Sequence, residues 1–140
     1  MLRREFHLLT GTVLLAALVL FSGCHRPEIL TGDFSLVSPL PRNISVDTCA
    51  KPVLVAVSGK EPRIRTVVDT TLGEGLNDFQ RQECYRIVCD KHGIQVIGGS
   101  ESGILHGIQT VRKALPVVPE GQKVRLALPA GEVFDYPEFR

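Results

Sequence analysis

The chain has 140 residues with 16 basic and 15 acidic side chains, a formal net charge of +1, so no charge excess implies an electrostatic partner. Only 6% of its residues are aromatic. With no basic stripe and few stacking platforms, a nucleic-acid-binding role is excluded.

In chain order, Met1 to Arg4 carry two arginines, and an uncharged apolar run follows from Leu8 to Phe21. That run has the length of a signal-peptide hydrophobic region and is too short to span a bilayer. It closes on Leu20-Phe21-Ser22-Gly23-Cys24, where small residues directly precede a cysteine, a pattern that resembles a bacterial lipobox. Residues 1–23 are therefore expected to be a lipoprotein signal peptide, helical in form, and Cys24 the lipid attachment site. A diacylated cysteine carries two chains, enough for stable anchoring. The expected location is the bacterial cell envelope, exported and lipid-anchored in the periplasm or outer membrane. Without the two arginines and one glutamate of the first five residues, the mature part is formally neutral. It is long enough for one domain with a modest core and too short for two.

Residues 24–33 are short, polar and broken by Pro and Gly, as suits a tether, and the domain is expected over 34–140. Phe34-Ser35-Leu36-Val37 reads as a first strand ended by Pro39-Leu40-Pro41. Val53-Leu54-Val55-Ala56-Val57 is a compact strand pattern closed by Ser58-Gly59, and Arg63 to Asp69 alternates as another. From Thr70 to Gln82 the composition turns polar with two glycines, which predicts a long loop. Glu83 to Cys89 predicts a strand, Asp90-Lys91-His92-Gly93 a hairpin turn, and Ile94-Gln95-Val96-Ile97 the return. Ser100 or Ser102 can cap a helix over 103–115, whose apolar residues Ile104, Leu105, Ile108, Val111, Ala114 and Leu115 share one face; Pro116 stops it. The fold class is α+β, a mainly antiparallel sheet with one amphipathic helix on one face.

Few residues offer chemistry. Gly98-Gly99-Ser100-Glu101-Ser102-Gly103 lies where phosphate loops occur. It lacks the Gly-Lys-Ser/Thr ending and the second glycine of a dinucleotide fingerprint, and Glu101 would repel a phosphate. No cofactor is expected. Gly99, Gly103 and Gly107 recur every four residues, a spacing that lets a helix approach its neighbour closely. His106 has no companion at metal-ligand spacing, so it reads as a packed or surface histidine, and His92 as solvated in its turn. Cys49, Cys84 and Cys89 read as small buried apolar residues rather than bridge partners, although a bridge through Cys49 is the alternative. No catalytic triad, acid pair or metal set is found. The last segment alternates apolar residues into Asp135-x-Pro137 and reads as a doorway into a second domain.

These motifs carry a resemblance. Glu83-x-Tyr85-x-Ile87, Gly93-Ile94-x-Val96, Gly103-x-x-x-Gly107-Ile108-Gln109-Thr110-Val111 and Asp135-x-Pro137-x-Phe139 together resemble the N-terminal accessory domain of family 20 glycoside hydrolases, the β-N-acetylhexosaminidases. The Gly-x-Gln-Thr helix is the most specific element, with His106 where the family commonly has an aromatic. Leu36 to Pro41 is similar to the family's opening proline-containing strand. The resemblance implies an α+β domain packed beside a (β/α)₈ catalytic barrel normally in the same chain, with glycan reached only through that barrel. It also implies a further helix in the first half, where no helical period is found between Val53 and Gln82, so a shortened domain is expected. By register, the family's sugar-holding arginine would stand two residues beyond Arg140, and the carboxylates of its substrate-assisted mechanism would lie further on. The expected function is therefore the N-terminal part of an exported β-N-acetylhexosaminidase, this chain lacking the catalytic residues. The alternative is a stand-alone, envelope-anchored carbohydrate-binding or scaffold module.

Overall fold

A computed structural model describes residues 26–138. The expected signal helix over 1–23, Cys24, Phe139 and Arg140 lie outside the described residues. Among the described residues no helix is long and apolar enough to cross a membrane.

The elements in order are β1 (Ile29–Thr31), a 3₁₀ turn (Phe34–Leu36), β2 (Asn43–Val46), β3 (Val53–Val57), β4 (Ile64–Val68), α1 (Asp78–Glu83), β5 (Tyr85–Asp90), β6 (Gly93–Gly98), α2 (Glu101–Ala114), β7 (Arg125–Leu128) and β8 (Gly131–Asp135). Five strands form one sheet in the order β2-β8-β5-β6-β4, and three form a smaller one, β1-β7-β3. In the larger sheet every pairing is antiparallel except β4 with β6, so the expected α+β class holds with a mixed sheet.

The β5–β6 hairpin is the centre of the fold. Asp90 pairs with Gly93, and Gly93 takes φ +103°, a conformation that glycine adopts without steric cost. Alternate residues point inward: Tyr85, Ile87 and Cys89 from β5, and Ile94 and Val96 from β6, are all buried. Helix α2 covers this face with Val111 and Ala114, joined in the same core by Phe34, Val37, Leu128 and Val133. Ser100 caps α2, its hydroxyl accepting the Ser102 amide at 3.1 Å, and Arg112 and Lys113 occupy the last turn, where cations favour the helix dipole.

Close approach is what the glycine spacing provides. A Cβ at Gly103 would strike the Cys84 carbonyl, and one at Gly107 would strike Val96 and press on Tyr85. The inward face of α2 is therefore narrower than the apolar stripe predicts. Leu105, expected on it, is 61% exposed.

Three further expectations are corrected. Phe34–Leu36 is a 3₁₀ turn, because the Asp33 carboxylate accepts the Ser35 amide at 2.8 Å and turns the chain. Ile29–Thr31, inside the segment read as a tether, is a strand that pairs in parallel with β7. The expected loop before Glu83 contains the six-residue helix α1. One and a half turns are too short for a helical period to register. Its marker is a capping box: Asn77 Oδ1 accepts the Gln80 amide at 2.8 Å and Gln80 Oε1 accepts the Asn77 amide at 3.4 Å. Glu83 consequently ends a helix, and β5 starts at Tyr85.

No disulfide joins Cys49, Cys84 and Cys89. Cys84 and Cys89 are buried as expected, and burial raises both thiols, Cys89 to about 11. Cys49 departs from the expectation: it lies exposed in the turn after β2.

Candidate functional site

Between α1, α2 and the end of β8 lies an open groove of about 500 Å³. Phe79 and Glu83 come from α1, His106, Gln109 and Lys113 from α2, and Asp135 to Pro137 from the departing chain. The helical residues reach one groove because positions three or four apart share a helix face.

Two polar clusters line it. In the first, the Glu83 carboxylate accepts the Ser102 hydroxyl at 2.7 Å and meets His106 Nε2 at 2.5 Å, tying α1 to α2. The Ser102 bond, joined by the His106 bond and its charge, holds the Glu83 carboxyl below the usual carboxylate range against the opposing effect of burial. His106 is thus the surface histidine expected, half exposed, but with a specific carboxylate partner on another helix. Sequence reasoning missed this pair because it placed Glu83 on a strand. A carboxylate at the end of α1 and a serine and histidine four apart on α2 would have been the signal.

In the second cluster, the Tyr85 and Thr110 hydroxyls share a hydrogen bond of 2.7 Å, and Tyr85 also donates to Asp135 Oδ2 at 3.3 Å. Burial, the larger cause, and the neighbouring Asp135 push the Tyr85 phenol up to about 12. Three motifs far apart in the chain meet here: the β5 tyrosine, the α2 Gly-x-Gln-Thr threonine and the Asp-x-Pro aspartate.

The glycine loop before α2 leaves no cradle for a phosphate. A Cβ at Gly99 would strike the Arg81 carbonyl, the Gly99 amide is bonded to the Cys84 carbonyl at 3.0 Å, and Ser100 Oγ donates to the Gln82 carbonyl at 2.6 Å. Protein backbone fills the place an anion would need. Among the described residues no three His, Cys, Asp or Glu side chains are grouped to hold a metal ion. His92 is exposed in the hairpin turn. Cys24, the expected lipid site, lies outside the described residues.

Comparison with known proteins gives the following. A family model described as glycosyl hydrolase family 20, domain 2, matches residues 37–136. A search of curated protein sequences returns no significant match. Among solved structures, a mutant Streptomyces plicatus beta-hexosaminidase in complex with its product GlcNAc is 16% identical, with a TM-score of 0.51, over 76% of this chain and 27% of that one. The family 20 beta-N-acetylhexosaminidase of Streptomyces coelicolor is 19% identical over 76% of this chain and 27% of that one, TM-score 0.47. A Flavobacterium johnsoniae chitobiase is 16% identical over 74% of this chain and 21% of that one, TM-score 0.47. The likeness to the first is one of fold, and the chain spans about a quarter of that structure's length.

Proposed function

Because this chain belongs to glycosyl hydrolase family 20 through its domain 2, we propose that it is the N-terminal accessory part of an exported β-N-acetylhexosaminidase. Such an enzyme removes terminal N-acetylhexosamine from glycans. In this reading a (β/α)₈ barrel supplies the catalytic residues and this chain supplies the support. The single observation that carries the reading is the family match across 37–136, which takes in both helices, the hairpin and the Asp135 exit.

The chemistry of the groove supports a structural role. A general acid for glycoside cleavage needs a carboxyl raised toward neutral pH, whereas Glu83 is held low by Ser102 and His106. Asp135 accepts from Tyr85 and from the Arg42 amide. Both carboxylates are committed to holding elements together. The expected outcome is that purified residues 24–140 release no chromophore from a chromogenic N-acetylglucosaminide. Turnover that disappears in Glu83→Gln would overturn the reading.

Anchoring through Cys24 belongs to the same proposal, supported by the Leu20-Phe21-Ser22-Gly23-Cys24 pattern. Expressed with its leader in a bacterium, the protein should fractionate with membranes, and Cys24→Ser should move it to the soluble fraction. Membrane retention of that variant would remove the anchor from the proposal.

One observation favours a second reading, a carbohydrate-binding or scaffold module: Phe79, Tyr85 and Tyr136 all line the groove. Binding on a glycan array, lost on Tyr136→Ala, would favour it over the accessory role.

A further inference from the structure

The segment by which the chain leaves the domain, residues 135–138, is held from three places. From the residue before β2, the Arg42 amide donates to Asp135 Oδ1 at 3.2 Å and Arg42 Nε to the Tyr136 carbonyl at 3.3 Å. The Arg42 guanidinium also lies 4.4 Å from the centre of the Tyr136 ring and 4.0 Å from the exposed Glu138 carboxylate. From β5, Tyr85 donates to Asp135 and is itself bonded to Thr110 of α2. From α1, Gln80 Nε2 donates to the Pro137 carbonyl at 3.1 Å and the Glu138 carbonyl at 3.4 Å.

The Gln80 contact explains what so short a helix is for. Its side-chain oxygen is occupied by the Asn77 amide in the capping box, which aims its NH₂ at the departing backbone. A helix of this length contributes little by itself. Here it presents one donor to two carbonyls that lie beyond the last strand and have no ladder partner.

We propose that Arg42, Tyr85 and Gln80 form an exit clamp, which holds residues 135–138 in one direction before any following domain is engaged. Arg42 and Gln80 are then positioning residues for whatever the chain enters next, and the clamped segment is a preformed wall of the groove. That the next element is a catalytic barrel rests on the function proposed above, whereas the clamp does not. A preorganised exit removes part of the ordering cost that docking a flexible linker would carry.

The test is backbone ¹⁵N relaxation on residues 24–140, comparing the wild type with Arg42→Met/Gln80→Glu. Glutamate at 80 keeps the capping oxygen and removes the donor, and methionine at 42 keeps the apolar stem and removes Nε and the cation. In the wild type, order parameters at Tyr136 and Glu138 should match the rigid hairpin at about 0.85, and in the double variant they should fall below about 0.6. Ile87 and Val96 should stay near 0.85 in both, showing that the domain is folded. Values below about 0.6 at Tyr136 and Glu138 in the wild type would overturn the clamp. So would values in the double variant that stay high or fall only together with the hairpin. Should the double variant not fold, the wild-type values and the Gln80→Glu single variant apply the same criteria. None of these readouts involves a sugar or a barrel, so failure of the hexosaminidase reading leaves them unaffected.

Discussion

The two strands of the β5–β6 hairpin and the two separate strands β3 and β4 have similar compositions and different structural roles. Both pairs are rich in Val and Ile, yet β5 and β6 bury every second residue, whereas β3 and β4 bury none fully and leave Leu54, Val57, Val67 and Val68 exposed. The hairpin sits centrally between β8 and β4 and under α2, while β3 and β4 are edge strands of different sheets. A β-branched run thus announces a strand without saying whether it lies at the centre or the edge. Stability should be concentrated accordingly.

The largest test is Ile87→Ala. Ile87 is fully buried in the hairpin, so truncation should cost about 2–5 kcal/mol in urea unfolding. A loss under about 1 kcal/mol would break the contrast between centre and edge.

The next is alkaline. Tyr85 has its folded pKa raised to about 12 from an ordinary 10.0, so the unfolded chain loses this proton first. The sign follows: the contribution is fully present below pH 10, declines as pH rises and is gone above about 12, for a total of about 2–3 kcal/mol. Tyr85→Phe should flatten that part of the stability profile, and a profile that stays equally steep would assign the loss elsewhere.

Gly103→Ala sharpens the comparison further, because two principles oppose each other there. Helix propensity favours alanine by about 1 kcal/mol, but the new Cβ would meet the Cys84 backbone carbonyl, which has no rotamer to give way. Net destabilisation of about 1–3 kcal/mol is expected. A stabilised variant would show that α2 can shift off the hairpin. The smallest effect is expected at the edge, where Leu54 is 49% exposed and Leu54→Ala should cost less than about 1 kcal/mol.

Legibility followed the same division. The hairpin and α2 were readable because each carries its period in a contiguous segment buried on one face, and Ser100 and Pro116 mark the helix ends. Helix α1 was not, since six residues hold less than two helical periods and only Asn77 and Gln80 mark it. Strand β1 was hidden for another reason. Three residues, Ile29–Thr31, have no local pattern, and β7, which they pair with, lies far along the chain. The site divided similarly. Tyr85, Gly107, Thr110, Asp135 and Pro137 stood out as motif residues, and so did Glu83 and His106, but their tie was hidden because Glu83 read as a strand residue; the Arg42 and Gln80 contacts gave no sequence signal, because their partners are distant in the chain.

The sequence by itself determined the class of fold, the hairpin register, the close glycine approach of α2 and, through its motifs, the family. Those properties depend on periodicity, turn chemistry and the absence of a side chain, all carried by neighbouring residues. Only the tertiary structure decided which strands lie at the edges, that Leu105 faces out, and that the Asp135 exit is held by Arg42, Tyr85 and Gln80. Contacts between residues 42, 80, 85 and 135 span three elements and two sheet positions, and no local pattern encodes a distance across them.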